Sequence, residues 1–189
     1  LGLLAVPVLF TQLDVAFRAR RIVSYLDPSA DPAGAGFQVH QSLLAFGSGG
    51  VAGVGFGQGR QKLGFLPEAH NDFIFAMIGE EWGLIGVTTT VLLYLLLVLI
   101  GFRVASRAPD LFGQLLAVGL TSTIALQAIL HMAVGLGLVP ATGLALPLIS
   151  YGRSNLLVTL ASLGILMSIS RASGPHGRGA PPVRRRARA

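Results

Sequence analysis

The residues best equipped for chemistry lie between Leu66 and Glu81, LPEAHNDFIFAMIGEE, which holds four of the chain's eight acidic side chains: Glu68, Asp72, Glu80 and Glu81. They stand at the mouth of a long apolar run, where a charged group is costly to keep and is a functional hypothesis by default. A carboxylate there can take the proton of an attacking hydroxyl. Pro67 is placed to open a helix, with Glu68 in a first turn whose dipole favours negative charge. On such a helix Glu68 and Asp72 share a face. Glu80 and Glu81 fall roughly 12 Å deeper at about 1.5 Å per residue and point in opposite directions, so at most one would reach the cavity that Asp72 faces. The structural alternative for Asp72 is a cap or ion-pair partner near a helix start. His70 and Asn71 flank it and point elsewhere. No two histidines have metal-ligand spacing, so a dedicated zinc site is not expected.

The elements that must position these groups are membrane spans. The chain has 189 residues, 52% hydrophobic and 12% charged, with a mean hydropathy of +0.70, too apolar for an ordinary soluble domain. With no cysteine, disulfides and thiolate metal sites are excluded. The net charge of +6 does not point to nucleic acid, because Arg171, Arg178, Arg184, Arg185, Arg186 and Arg188 all follow the last apolar run. A basic tail beside a span reads as a topology signal and a contact for anionic lipid. The chain opens without Met inside an apolar run that lacks signal-peptide features, which predicts the C-terminal part of a longer protein.

The predicted fold class is all-α, a polytopic helical membrane protein with about four transmembrane helices and a large extracytoplasmic loop. Residues 1–23 form a partial span and its outer flank, stopped by Arg18, Arg20 and Arg21. Residues 24–71 are the loop, with short helices including FQVHQSLLAF and then the glycine run GSGGVAGVGFGQG. That run carries neither a dinucleotide fingerprint nor a P-loop, and its glycines suit tight turns and close backbone approach. Spans follow at 72–103, 112–138 and 151–171, joined by a cytoplasmic loop at 104–111 and an extracytoplasmic turn at 139–150. Gln127 and His131 interrupt the second of these, His131 as a helix-packing hydrogen-bonder. Residues 172–189 are a disordered basic cytoplasmic tail. This orientation leaves Arg18, Arg20, Arg21, Arg60 and Lys62 outside and Arg153 near that face, against the usual bias. Either they bind an anionic substrate such as a lipid diphosphate, or they pair with Asp14, Asp27, Asp31 or Glu68.

LDPSADPAGAGFQVHQSLLAFGSGGVAGVGFGQGRQKLGFLPEAHNDFIFAMIGEEWGLIG, followed after two apolar runs by GLVPATGLALPLISYGRSNLL, resembles the SEDS family over nearly the whole chain except the tail. The compact GFGQGRQKLGFLPEAH segment is more like the family's division members than its elongation members. The resemblance implies a ten-span protein of which this chain holds roughly the last four spans, so that the chain alone would be inactive. It implies a peptidoglycan glycosyltransferase that polymerises lipid II at the outer face of the bacterial cytoplasmic membrane, at the septum, with its C-terminus in the cytoplasm. The partners implied are lipid II, the undecaprenyl-diphosphate-linked glycan, a class B penicillin-binding protein and other division proteins.

The family's HxDF motif places the catalytic aspartate at Asp72. Glu68, Arg60, Lys62, His70, Ser150 and Arg153 become candidate substrate-binding residues, with the cations set against the charge of the departing diphosphate. A divalent cation, Mg2+ or Mn2+, could be held by Asp72 and Glu68, and no organic cofactor is expected. Asn71 stands where the family has threonine and His131 where it has asparagine. The family's ISYGGSS appears as Ile149 to Asn155 with Arg153 and Asn155 substituted, and Arg153 could add a phosphate contact or distort the loop. A lipid II transporter, needing a polar path that Glu80, Glu81, Gln127 and His131 would have to supply, and a non-catalytic division scaffold are the alternatives.

Overall fold

The structure, a computed structural model, describes residues 35–60, 73–140 and 142–172. The span expected at 1–23, the helix start expected at Pro67 and the tail beyond Ala172 lie outside them. The described residues form four helices: α1 (Ala35–Gly49), α2 (Ile74–Arg107), α3 (Leu111–Gly135) and α4 (Arg153–Ala172). The last three are long and apolar enough to cross a membrane.

α2 owes its length to a stretch from Trp82 to Phe102 without a charged residue. At about 1.5 Å per residue its 34 residues exceed a bilayer core of about 30 Å, so its ends project. It continues past the expected end at Arg103 to Arg107, which lies on its last turn rather than in the following loop. Cations suit the negative end of a helix dipole, and the helix ends at Arg107, with Ala108 extended as the residue before a proline favours. Ala108, Pro109 and Asp110 complete the link, and the Asp110 carboxylate caps α3 by accepting the Gly113 N–H at 2.8 Å. α2 and α3 then approach closely where Gly101 faces Thr121, leaving no room for a Cβ on the glycine. Small residues at such contacts let membrane helices gain van der Waals packing that lipid cannot supply. Ala105, Ala117 and Leu166 join α2, α3 and α4 in one buried cluster.

α1 packs across the start of α2. The amphipathic piece expected to end near Phe46 runs on through Gly47, Ser48 and Gly49. Packing overrides weak helix propensity here: a Cβ on Gly49 would meet the Gly79 carbonyl, and one on Gly79 would meet the Phe46 ring. Phe46 and Phe75 stack edge to face at 5.6 Å, and Ser42 Oγ donates to the Gly135 carbonyl at 2.6 Å.

The decisive feature of the fold is a break in α2 at Gly83, whose φ of 63° and ψ of −155° are open to glycine alone. A break in a span orphans backbone groups, which in lipid must find partners within the protein. The glycine run supplies them. Val54 and Gly55 N–H donate to the Glu80 and Glu81 carbonyls at 3.0 and 3.1 Å, while Leu84 and Ile85 N–H donate to the Gly50 and Val51 carbonyls at 2.9 and 3.3 Å. Gly53, at φ 80°, lies against Glu81 and Trp82, and a Cβ on Gly83 would collide with Gly53 and Val51.

Gly83→Ala and Gly53→Ala are each expected to destabilise the protein by about 1–3 kcal/mol or more, since steric collision adds to backbone strain. Gly47→Ala, whose Cβ would have open space, should be neutral or slightly stabilising. Thermal unfolding of the three variants in detergent checks this, and a Gly83→Ala protein as stable as Gly47→Ala would contradict it.

Candidate functional site

Asp72, Glu68, His70 and Lys62 lie outside the described residues. What the structure shows is the scaffold on both sides of them. Phe73, next to Asp72 in sequence, is only 1% exposed and packs with Ala45 of α1, Ala76 and Met77 of α2 and Val134 of α3. Its backbone is not helical, at φ −127° and ψ 24°, and α2 begins at Ile74. Its carbonyl accepts from the Ala76 and Met77 N–H groups at 3.0 and 3.3 Å. The aromatic residue of the HNDF motif is therefore a core anchor.

Glu80 and Glu81 do not diverge as the helical pattern suggested. Glu80, 3% exposed, accepts the Arg60 N–H at 2.8 Å, and Glu81 accepts the Gly57 N–H at 3.0 Å. Gly59 lies between them, where a Cβ would stand 2.8 Å from Glu80 Oε2 and 3.2 Å from Glu81 Oε1. Successive helical residues are about 100° apart, so a loop laid across the helix can reach both. Arg60, whose backbone N–H Glu80 holds, has an exposed side chain.

Ser150 and Arg153 belong to a second irregular segment, the turn between α3 and α4. Side chains of three spans hold its carbonyls. His131 Nδ1 donates to Leu144 O at 2.6 Å. Gln127 Nε2 donates to Ala145 O at 3.0 Å and to Asn155 Oδ1 at 2.8 Å, and Asn155 Nδ2 donates to Ala145 O at 3.2 Å. The Tyr94 hydroxyl donates to Pro147 O. Ser150 is buried and its Oγ accepts the Leu146 N–H at 2.8 Å, a turn-forming role. Leu148 takes a positive φ of 67°, a strained conformation for a branched residue that persists only where the surroundings fix it. Arg153 is exposed and opens α4. Charge periodicity gave no sign of Tyr94 as a turn ligand or of the Gln127–Asn155 pair, because their partners are main-chain carbonyls. Among the described residues no group of three or more His, Cys, Asp or Glu side chains is placed to hold a metal ion.

A family model described as cell cycle protein, FtsW/RodA/SpoVE, matches residues 1–174. The chain belongs to this family. Among its FtsW/RodA/SpoVE relatives, a protein of Geobacter sulfurreducens (strain DL-1 / KN400) named probable peptidoglycan glycosyltransferase FtsW is 53% identical over 171 residues, covering 90% of this chain and 46% of that protein. Stage V sporulation protein E of Bacillus subtilis (strain 168) is 49% identical over 161 residues, covering 85% of this chain and 44% of that protein. The chain spans about half the length of the curated relatives it matches. Among solved structures, one from a study of polymerization and crosslinking by a peptidoglycan synthase complex matches with a TM-score of 0.67 at 31% identity, covering 92% of this chain and 48% of that chain. An aspartate-to-alanine mutant of the rod shape determining protein RodA from Thermus thermophilus matches with a TM-score of 0.55 at 36% identity, covering 71% of this chain and 40% of that chain. The all-helical architecture and its membrane spans are thus those of the FtsW/RodA/SpoVE family.

The turn network makes an energetic prediction. Gln127→Ala and Asn155→Ala should each destabilise the protein by about 0.5–2 kcal/mol, the range for interhelical hydrogen bonds in membranes. The double variant should cost less than the sum, because both amides serve Ala145 O. Unfolding in mixed detergent micelles measures this, and strict additivity would show that the pair does not act as a unit.

Proposed function

We propose that the protein is a peptidoglycan glycosyltransferase that polymerises lipid II into glycan strands at the outer face of the bacterial cytoplasmic membrane during septal wall synthesis, with Asp72 as general base. The observation that carries this reading is 53% identity over 171 residues to a relative named probable peptidoglycan glycosyltransferase FtsW, within a family match that includes Asp72.

In the reaction an acceptor sugar hydroxyl attacks the anomeric carbon of a lipid-linked donor. The new C–O bond forms as the bond to the lipid diphosphate breaks, and the hydroxyl proton passes to the Asp72 carboxylate. Charge gathers on the departing diphosphate, which Arg60, Lys62 and Arg153 would stabilise, with Glu68, His70 and Ser150 orienting substrate. The scaffold suits this division of labour. Phe73 anchors the chain next to the base, and Glu80 and Glu81 hold the backbone at Gly57 and Arg60. A divalent cation, Mg2+ or Mn2+, held by Asp72 and Glu68 would add charge neutralisation, and chelation with metal add-back tests it separately. A class B penicillin-binding protein is the crosslinking partner we propose, supported by the likeness to a peptidoglycan synthase complex.

The polar side chains a transporter would need are engaged in holding backbone. Glu80 and Glu81 bind the glycine loop, and Gln127 and His131 bind the turn. This favours the transferase over the transporter.

The test is glycan polymerisation from lipid II by the full-length protein with its crosslinking partner in liposomes. Asp72→Asn and Asp72→Ala should each lower the rate by about 100-fold or more, the usual share of a general base, with folding and complex formation intact. Undiminished polymer would remove Asp72 as the base. No polymer from a well-folded wild-type complex would favour transport or scaffolding.

A further inference from the structure

The glycine run presents a combination that an aqueous loop does not need. From Gly47 to Gly59 it contains no charged residue. Its backbone is paired inward, with Gly50 and Val51 accepting from Leu84 and Ile85, and Val54 and Gly55 donating to Glu80 and Glu81. Its apolar side chains face outward: Phe56 is 82% exposed and Val51 68% exposed. Inward-paired backbone with outward apolar side chains is what a segment in contact with lipid requires.

The depth of the loop is set by its bonds to α2. Leu84 and Ile85 are the first exposed aliphatic residues of the uncharged span, and the loop carbonyls are bonded at their level. Counting back from Arg103, the first charged residue at the other end, about 20 residues at about 1.5 Å each reach Gly83, a length of about 30 Å. That equals the bilayer core, so the break in α2 falls at the core boundary. Trp82 stands there, half exposed, with its ring edge to face with Phe56 at 6.3 Å and 74°. Amphipathic aromatic rings favour this depth.

We propose that the loop from Gly50 to Gly59, which follows α1, is a re-entrant element seated in the lipid headgroup and acyl boundary of the leaflet at the Trp82 end of α2. Val51 and Phe56 contact lipid there, and the Phe56–Trp82 pair is its anchor. The loop surface is continuous with Leu84 and Ile85, exposed aliphatic residues of the uncharged span, and this continuity with a bilayer-length apolar run argues for lipid as the occupant. The loop thereby fixes the height of Arg60 relative to the membrane surface. The inference rests on the membrane span of α2 and not on the proposed reaction.

Because the chain contains no cysteine, a nitroxide can be placed at one introduced thiol within it. Full-length protein carrying Phe56→Cys or Val51→Cys, freed of any thiols elsewhere, is labelled in phosphatidylethanolamine and phosphatidylglycerol vesicles. Collision with oxygen and with a water-soluble nickel chelate is then measured by power saturation. Leu92→Cys, mid-span and exposed, and Pro109→Cys, in the α2–α3 link, supply the lipid and water references. The oxygen-to-nickel ratio at both loop positions should fall between the references, at a depth of about 5–10 Å below the headgroups. A ratio equal to that of Pro109→Cys would place the loop in water, and low collision with both reagents would show protein covering it. Either result overturns the proposal. Two positions are used so that a fold defect in one variant leaves the other to decide.

Discussion

Four backbone hydrogen bonds between a glycine loop and a broken helix hold this molecule in its shape. α2 cannot sustain the Gly83 conformation in a membrane unless its stranded carbonyls and N–H groups are met, and Gly50, Val51, Val54 and Gly55 meet them. The loop in turn can approach only because Gly49, Gly53 and Gly83 leave space for main chain against main chain. Neither element would keep its conformation alone. The carboxylates of Glu80 and Glu81 extend the same contact by one further strand of loop, so a pair of charges near a span is spent on holding backbone.

The second irregular segment follows the same logic with different chemistry. Between α3 and α4 the chain is irregular apart from one turn closed by the Ile149 and Ser150 N–H groups on the Leu146 carbonyl, and the Leu144, Ala145 and Pro147 carbonyls are taken by His131, Gln127, Asn155 and Tyr94. Where the glycine loop is satisfied by main chain, this turn is satisfied by side chains from α2, α3 and α4. Two non-helical segments thus lie at the ends of spans, each over-determined by neighbours, and the strained Leu148 sits in the second. Such segments can present side chains at fixed positions that a regular helix cannot reach.

Much of this was legible from the sequence, and the failures have physical causes. The uncharged run from Trp82 to Phe102 and the apolar run after Leu111 announced their spans, because length and the absence of charge are intrinsic to the segment. The two motifs announced the family. The break at Gly83 was not legible, since Gly86 and Gly101 lie in the same helix without breaking it and only the docked loop distinguishes the three. Glu80 and Glu81 misled for the same reason: helical geometry gives directions, but a loop wrapped over the helix collects both. Arg107 looked like a loop residue because charge usually ends a span, whereas the helix continues four residues past Arg103. His131 was legible in kind, as a hydrogen-bonder and not a catalyst, but its partner is the turn.

The link of Ala108, Pro109 and Asp110 carries a consequence for how the molecule is made. α3 contains Thr121, Gln127 and His131, which an isolated helix would have to offer to hydrocarbon during insertion. A tether this short obliges α3 to enter alongside α2, so Thr121 meets Gly101 as soon as the second helix crosses. α2 and α3 thus have the short link and matched close contact of a helical hairpin, a geometry suited to entering the bilayer as a pair. Lengthening that tether would leave the finished contacts unchanged and alter only the order in which they form.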